Sequence, residues 1–478
     1  MTAAPPPADA NAGPSPTFRD PAGSLCFEGD LVVRKIHPAA HQQVLEFVTS
    51  AFCQRLVQRG DMVASTVDET PSGLRLLHPK IPIPTYPWEW TPSQWLAAAD
   101  LTLTLCEEAL SAGGPESQAG WVLKDATPLN ILFLGPRPIL VDVLSFELWN
   151  PASRDRDPSI WLPYGQYIRT FLLPLLMNRL LSWPLALSLF KRDGYEPADL
   201  YHALSWRQRL SRNALWPITL PAWLEKRKSA DAPAKPATPT KDPGLALHIL
   251  RKSLADLRRR TQRALPADAA SHWSEYKQTL THYTAAQSQA KHQWVQEVFA
   301  ELHPARVLDI GANTGEFSIL AAQSGAQVTA LERDAASADR VFRMSRDQSL
   351  AIQTIHADLA RPTPAAGWNN RESSALLPRL EGQFDLVMML AVIHHLLLME
   401  QIPLTAIIAL CHRLTTRYLI IEWVPVTDPM YQSLMRGRDD LYGALTPQDL
   451  LSACDTRFQL LRHHMLDNGR TLYLFEKL

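Results

Sequence analysis

The second half of the chain alternates short apolar runs with stretches of helical periodicity. Residues 307–310 (VLDI) form an apolar run, followed by a turn with Gly311 and Gly315 and by a helical segment over 316–324. Gly325 fits the end of that helix, and a second apolar run over 327–331 leads into Glu332. This strand–turn–helix–strand order predicts the first half of a doubly wound α/β fold.

Further apolar runs extend this pattern toward the C-terminus. AIQTIHAD ends at Asp358, FDLVMMLAVIHHL runs into His394 and His395, and YLIIEWVP contains Glu422. FQLLRHHM and TLYLFEKL flank a turn near Asn468–Gly469 and predict a closing hairpin. We therefore expect a Rossmann-like sheet that is mostly parallel and has an antiparallel last strand.

The first half of the chain has a mixed pattern that predicts an α+β domain. A hairpin is expected about Gly29, a single helix over 37–59, two strands in MVASTV and LRLLH, and a helix over 92–112. The apolar stretch 168–190 contains two arginines and two prolines, so we expect buried helices there rather than a membrane span.

Residues 122–149 carry the chemistry of this first half. Asp125 and Asn130 are spaced D-x-x-x-x-N, and Asp142 follows at the end of a strand. The arrangement resembles the catalytic loop of kinase-like phosphotransferases, which implies Asp125 as base and Asn130 and Asp142 as metal ligands. No glycine-rich loop precedes this stretch, and only one short hairpin precedes Lys35, the nearest candidate for a phosphate-binding lysine. The alternative is therefore a structural loop or an inactive kinase-like fold. We expect this domain mainly to build or cover the substrate site.

Composition divides the chain and limits its partners. We expect a disordered tail over 1–17, the kinase-like domain over 18–224, a Pro/Ala/Lys linker over 225–244 and the C-terminal domain over 245–478. The basic helix 251–263 could contact RNA or an acidic partner, although a solvated connector is the favoured interpretation.

Charge and cysteine content refine this picture. The formal net charge of −1 gives no global field toward nucleic acid. The five cysteines have no C-x-x-C spacing, which argues for a reducing compartment and against zinc, and no metal site is predicted. No secretory signal is recognised, so a cytoplasmic location is expected.

The turn after residue 310 indicates which nucleotide is bound. Gly311 and Gly315 let the backbone approach a ligand, and Glu332 follows at a strand end where a carboxylate can accept from ribose hydroxyls. Asn313 stands where a dinucleotide fingerprint needs glycine. The resulting D-x-G-x-N-x-G, which starts at Asp309, resembles motif I of class I S-adenosylmethionine (SAM) methyltransferases.

The resemblance extends over most of the chain. YPWEW, LKDATPLN, DVLSFE, DIGANTG, GWNNRE, LAVIHHL, EWVP-x-x-DPM and GRTLYL are similar to a bacterial two-domain family of SAM-dependent methyltransferases related to nodulation-type enzymes. Ala312 and Trp423 depart from it, where Cys and Phe are expected. The resemblance implies SAM as cofactor and methyl transfer to an unidentified acceptor. The residues expected to bind SAM are Asp309, Gly311, Asn313, Gly315, Glu332, Asp358 and Ala391.

The catalytic candidates are His394, His395 and Glu422. Adjacent residues on a strand point to opposite faces, so the histidines are not expected to share a metal. Either one histidine packs while the other faces the cleft, or one takes a proton from the nucleophile. Glu422 orients the substrate or simply ends a strand. The competing functions are a phosphotransferase or bifunctional enzyme using Asp125, Asn130 and Asp142, and a SAM-binding module without turnover.

Overall fold

The computed structural model describes residues 20–71, 73–112, 120–149, 157–227, 242–267, 283–435 and 443–478. The predicted tail 1–17 and most of the predicted linker lie outside these ranges. No helix of the described residues is both long enough and apolar enough to cross a bilayer.

The N-terminal half is built on a four-stranded antiparallel sheet in the order β1-β2-β4-β3 and two smaller antiparallel pairs, β5-β8 and β6-β7. The hairpin predicted about Gly29 is confirmed. The strands are β1 (Gly23–Glu28), β2 (Leu31–Ile36), β3 (Thr66–Thr70), β4 (Gly73–Pro79), β5 (Gly120–Leu123), β6 (Ile131–Leu134), β7 (Arg137–Leu140) and β8 (Phe146–Trp149).

Nine helices of the described residues surround these strands. A π-helical turn, Ile168–Leu172, joins the fourth to the fifth. They are α1 (His41–Thr49), α2 (Ala51–Arg59), α3 (Pro92–Ser111), α4 (Tyr164–Tyr167), α5 (Leu173–Leu181), α6 (Pro197–Ala203), α7 (Trp206–Arg209), α8 (Leu220–Arg227) and α9 (Pro243–Ala264).

The single helix predicted over 37–59 is wrong, because the chain breaks at Ser50. Its backbone is extended, and its Oγ accepts a hydrogen bond of 3.1 Å from the Cys53 N–H. This is an N-cap, which starts a new helix by pairing one of the free N–H groups of the first turn.

Helix α9 packs with the N-terminal core, although the sequence grouped it with the C-terminal domain. Leu250, Leu254 and Leu257 are buried in the same apolar cluster as α3. Arg258 lies 3.3 Å from the Asp100 carboxylate and 3.0 Å from that of Glu107. Its neighbours Arg259 and Arg260 pair with Asp256 on the same helix. The basic residues that suggested a nucleic-acid contact therefore meet carboxylates of their own chain.

The C-terminal half contains a seven-stranded sheet in the order β11-β10-β9-β12-β13-β15-β14. β9 to β13 are parallel, whereas β15 runs antiparallel to both of its neighbours. The predicted mostly parallel sheet with its closing hairpin is confirmed. The strands are β9 (Arg306–Ile310), β10 (Gln327–Glu332), β11 (Ile352–His356), β12 (Phe384–Met389), β13 (Thr415–Trp423), β14 (Phe458–Met465) and β15 (Thr471–Lys477).

Helices cover both faces of this sheet, and two apolar clusters fill the space between them. They are α10 (Ala285–Leu302), α11 (Glu316–Gln323), α12 (Ala335–Asp347), α13 (Leu376–Leu380), α14 (Ile393–Leu398), α15 (Leu404–Leu414), α16 (Pro429–Met435) and α17 (Pro447–Cys454).

The N-terminal half packs against the β11 edge of this sheet. The Gln94 side chain donates to the Thr354 carbonyl (3.1 Å), and that of Gln353 donates to the Ile83 carbonyl (2.7 Å). Beside this edge, the fully buried carboxylate of Glu89 pairs with the Arg379 guanidinium. Because removing one partner of a buried ion pair leaves an uncompensated charge, this contact holds the two halves together.

Candidate active site

A cavity of about 410 Å³ opens at the carboxyl ends of β9, β10, β11 and β12. This is the edge at which open α/β sheets bind ligands. Six of the seven residues predicted to bind the cofactor border it, and Gly315 does not. The six are Asp309, Gly311, Asn313, Glu332, Asp358 and Ala391.

The turn between β9 and α11 requires its glycines. Gly311 has φ = +71°, and a Cβ there would overlap the Val392 side chain. Gly315, with φ = +84°, begins α11, and its Cβ would come within 3.0 Å of Val341 Cγ2. Gly315 therefore shapes the turn from behind. Left-handed backbone at both positions explains why side chains are excluded.

Glu332 ends β10 and reaches across to this turn. One carboxylate oxygen accepts from the Asn313 N–H (2.7 Å) and the other from the Asp334 N–H (2.7 Å). Burial raises the pKa of Glu332 above its ordinary value, and these backbone donors oppose that effect. Each oxygen accepts only one of these bonds, so both keep acceptor capacity toward the cavity.

Two more of the predicted cofactor-binding residues are carboxylates that border the cavity. Asp309 is buried at the end of β9 and accepts from Ser318 Oγ (2.6 Å), which ties the strand to α11. Burial raises the pKa of Asp309 to about 6. Asp358 follows β11, accepts from the Ala360 N–H (2.9 Å) and pairs with Arg361.

The lining carries more acid than base. Six of the lining residues are Asp or Glu and three are Lys or Arg. Such a lining suits a ligand with positive charge and several N–H and O–H donors, and it opposes a pyrophosphate. The cationic sulfonium, ammonium, ribose hydroxyls and adenine amine of SAM meet that description.

The two histidines lie on helix α14, not on a strand as predicted. β12 ends at Met389, and Ala391 takes φ = +57° before the helix begins. The ring centroids of His394 and His395 are 4.2 Å apart. His395 borders the cavity, and burial lowers its pKa to about 4. His394 is 2% exposed, and its Nδ1 has no hydrogen-bond partner among the described residues. Only His395 can therefore meet a ligand.

Glu422 is fully buried and does not border the cavity in the described structure. Its carboxylate lies 2.6 Å from Lys291 Nζ, accepts from the Tyr283 hydroxyl, and lies 3.5 Å from Arg470 Nη1. Burial alone would raise the pKa of Glu422, but Lys291 and Arg470 outweigh it, and the pKa lies below its ordinary value. Glu422 is thus a fixed anion that holds its neighbours in place.

Tyr283 and Arg470 border the cavity, and the sequence did not identify them as site residues. The Tyr283 hydroxyl accepts from Arg470 Nη1 (2.9 Å), and Arg470 Nε donates to Asp428 (2.8 Å). Their contact spans 187 positions. Arg470 lies in the GRTLYL stretch, but no sequence pattern assigned it a role or paired it with Tyr283. Contact in the fold is the only signal that joins them.

The kinase-like residues form a separate cluster that pairs internally. Asn130 Nδ2 donates to Asp125 (2.9 Å) and to Ser145 Oγ (3.0 Å), and Ser145 donates to Asp142 (2.6 Å). Asp142 also lies 2.9 Å from Arg34 Nη1, where the sequence suggested Lys35. Lys35 is exposed.

Neither a metal site nor a cofactor cavity includes that cluster in the described structure. Among the described residues, no group of His, Cys, Asp and Glu has the arrangement of a metal site. All described residues that line the cavity lie at position 283 or later. The described residues of the N-terminal domain do not line this cavity, because that domain packs on the β11 edge. That the domain builds or covers the substrate site stays a prediction.

A family model described as a methyltransferase domain matches residues 255–409. This chain is a SAM-dependent methyltransferase. The match contains the glycine turn, Glu332, Asp358 and both histidines, so it covers most of the cavity. SAM is the cofactor of this methyltransferase.

The chain is similar to three further known proteins. The methyltransferase is 29% identical over 480 residues to nodulation protein NoeA of Rhizobium meliloti strain 1021, covering 96% of this chain and 95% of the relative. Magnesium protoporphyrin IX methyltransferase of Synechocystis PCC 6803 is 19% identical over 40% of this chain and 83% of its own, with a TM-score of 0.29. N-methyltransferase NodS of Bradyrhizobium japonicum WM9 is 12% identical over 40% and 97%, with a TM-score of 0.30.

Proposed function

We propose that the methyl group of SAM passes to an acceptor nucleophile that enters the cavity beside His395. The observation that carries this proposal is the acidic cavity at the ends of β9 to β12, with Glu332 bound to the Asn313 backbone and still able to accept. Glu332 holds the ribose hydroxyls and Asp358 the adenine amine. The turn residues Gly311 and Asn313, with Ala391, form the surface against which SAM lies.

Within this proposal, Asp309 and Gly315 act indirectly. Asp309 fixes the start of α11 through Ser318. Gly315 allows the left-handed backbone from which that helix begins. Both therefore determine the shape of the turn.

The acceptor side of the cavity is assigned to His395. SAM supplies a methyl group already activated by a positively charged sulfur, so the chain needs mainly to align the acceptor, a contribution of up to roughly 7–11 kcal/mol. His395 is neutral at physiological pH because its pKa is about 4. It is accordingly a hydrogen-bond acceptor that orients the nucleophile, and a weak general base. His394 packs beneath it, while Glu422 fixes Tyr283 and Arg470.

The N-terminal half, which we propose to be kinase-like in fold, serves as a scaffold and does not transfer phosphate. Phosphoryl transfer needs carboxylates that are free to bind metal and donors that hold the phosphates in line. Asp142 is instead engaged by Arg34 and Ser145, and Asp125 by Asn130 and Gln166.

Methyl transfer is tested with isotopically labelled SAM. The purified protein is incubated with SAM carrying a labelled methyl group and a metabolite extract of cells that lack its gene, and the products are found by mass spectrometry. A labelled product is expected with wild type and lost with Glu332→Ala, while the matched exposed control Glu297→Ala retains it. Binding of S-adenosylhomocysteine (SAH) without any labelled product would identify a SAM-binding module without turnover.

A further inference from the structure

Helix α8 turns an apolar stripe toward solvent. Leu220 is 42% exposed, Trp223 43% and Leu224 54%, whereas Ala222 is buried. Positions i, i+3 and i+4 share one helix face. A surface helix normally places its apolar face against the core, whereas the apolar face of α8 is partly exposed to solvent.

Helix α7 and the residue after it continue the same feature. Trp206 is 67% exposed and Leu210 is 66% exposed, again at i and i+4. The Tyr201 ring connects the two helices, because Arg209 lies 4.2 Å and Lys226 5.3 Å from its centroid. We call Trp206, Leu210, Leu220, Trp223 and Leu224 the α7–α8 surface.

The charges around the α7–α8 surface are mostly positive. Residues 201–227 contain five Lys or Arg and a single acidic residue, Glu225. Arg207 lies 5.2 Å from the Trp206 ring centroid, and both Arg207 and Arg212 are exposed. The chain as a whole has no such excess, since the formal net charge of all 478 residues is −1.

We propose that the α7–α8 surface docks on an anionic lipid bilayer. Tryptophan and leucine side chains enter the boundary between headgroups and acyl chains, and the neighbouring arginines and lysine contact lipid phosphates. Clusters of basic residues beside exposed apolar side chains match this partner in both charge and polarity. The association is peripheral, since the apolar side chains reach into the interface from short helices.

Vesicle sedimentation tests this proposal with the full chain. The protein should sediment with mixed phosphatidylcholine–phosphatidylglycerol vesicles, with a partition coefficient at least about tenfold above that for pure phosphatidylcholine. Raising the salt concentration should reduce it, because surface charges are screened. Equal binding to both kinds of vesicle, or binding to neither, would overturn the proposal.

Variants separate the apolar and basic contributions. Trp206→Ser/Leu210→Ser and Trp223→Ser/Leu224→Ser should each lower the partition coefficient about tenfold or more. Arg207→Glu/Arg212→Glu should do the same only with anionic vesicles. Trp368→Ser is the matched control, because Trp368 is 68% exposed in the other half and should leave binding unchanged. The urea unfolding midpoint should be nearly unchanged in all variants, which shows that the N-terminal half that carries the substitutions is folded.

Two other occupants of this surface give different results. A second copy of the chain would show as a concentration-dependent dimer that the serine variants abolish, without vesicle binding. A segment of the same chain would leave a monomer that ignores vesicles. Either result overturns the proposal.

Discussion

Two polar clusters in this chain contain the same kinds of side chain but differ in the hydrogen-bonding capacity that those side chains retain for a ligand. In the N-terminal cluster, Asn130 donates to Asp125 and to Ser145. Asp142 accepts from Ser145 and pairs with Arg34. In the C-terminal cavity, the Glu332 carboxylate accepts from two backbone N–H groups of the described residues and borders the cavity. Residue type and spacing alone therefore do not separate a scaffold from a binding site, whereas the remaining hydrogen-bonding capacity does.

The largest effect is expected from breaking the N-terminal cluster. Among the described residues, Asp142→Ala leaves the buried Arg34 guanidinium with one carboxylate partner, Asp20, at 3.7 Å. The free energy of unfolding should fall by about 3 kcal/mol, the low end for a broken buried pair. Urea unfolding measures this loss. SAH affinity, measured by calorimetry at a temperature where the variant is folded, should not change. A loss of SAH affinity would mean that the N-terminal cluster takes part in the binding site.

Glu332→Ala should lower the affinity for SAH, the quantity that Asp142→Ala leaves unchanged. The variant lacks the charged carboxylate that accepts hydrogen bonds from the ligand, so SAH binding should weaken by about 1.5–3 kcal/mol. Calorimetry measures the dissociation constant, and Glu297→Ala is the exposed control on α10. A folded Glu332→Ala variant with unchanged affinity would show that this strand end does not hold the ribose.

A smaller effect is expected at His395, where the free energy of unfolding should depend on pH. Its pKa is about 4 in the folded chain against an ordinary value of 6.5, so the folded state resists protonation. The stability that depends on neutral His395 is present above pH 6.5 and is lost progressively as the pH falls toward 4. Between pH 6.5 and 5.5, wild type should lose about 1 kcal/mol more than His395→Asn. Parallel stability curves for the two proteins would contradict this pKa.

No effect at all is expected from ATP and Mg²⁺. Because the carboxylates of the N-terminal cluster are engaged within the chain, purified protein should show neither phosphate release nor autophosphorylation above the buffer level. A phosphate-release assay and labelled ATP measure these. Turnover that disappears in Asp125→Asn would make the protein bifunctional.

The sequence predicts the regular parts of the C-terminal half because local patterns determine them. Apolar runs mark β9 to β13, and Gly311 and Gly315 mark the turn, since glycine adopts a left-handed backbone more readily than other residues. The helix that carries His394 and His395 was missed because Ala391 takes a left-handed conformation, which alanine rarely adopts. The apolar run FDLVMMLAVIHHL continues past the end of β12 at Met389, so the pattern does not show where the strand ends and the helix begins.

Long-range contacts were beyond sequence patterns. The apolar face of α9 shows that the helix packs, but not that its partner is α3 in the N-terminal half. Likewise, Glu422 is recognisable at a strand end, whereas its partners Tyr283 and Lys291 lie more than 130 positions earlier. Amphipathicity specifies a buried face, and only the tertiary structure specifies what covers it.

The packing of the N-terminal half on β11 has a consequence for self-association. An outer strand of a sheet presents unpaired backbone groups that other chains can bind. At the opposite edge, β14 carries Arg462 and two histidines, which discourage such pairing. β11, with the sequence IQTIH, is instead covered in part, since the Gln94 side chain donates to its Thr354 carbonyl. By packing there, the N-terminal half covers an edge at which the sheet could otherwise pair with a second chain.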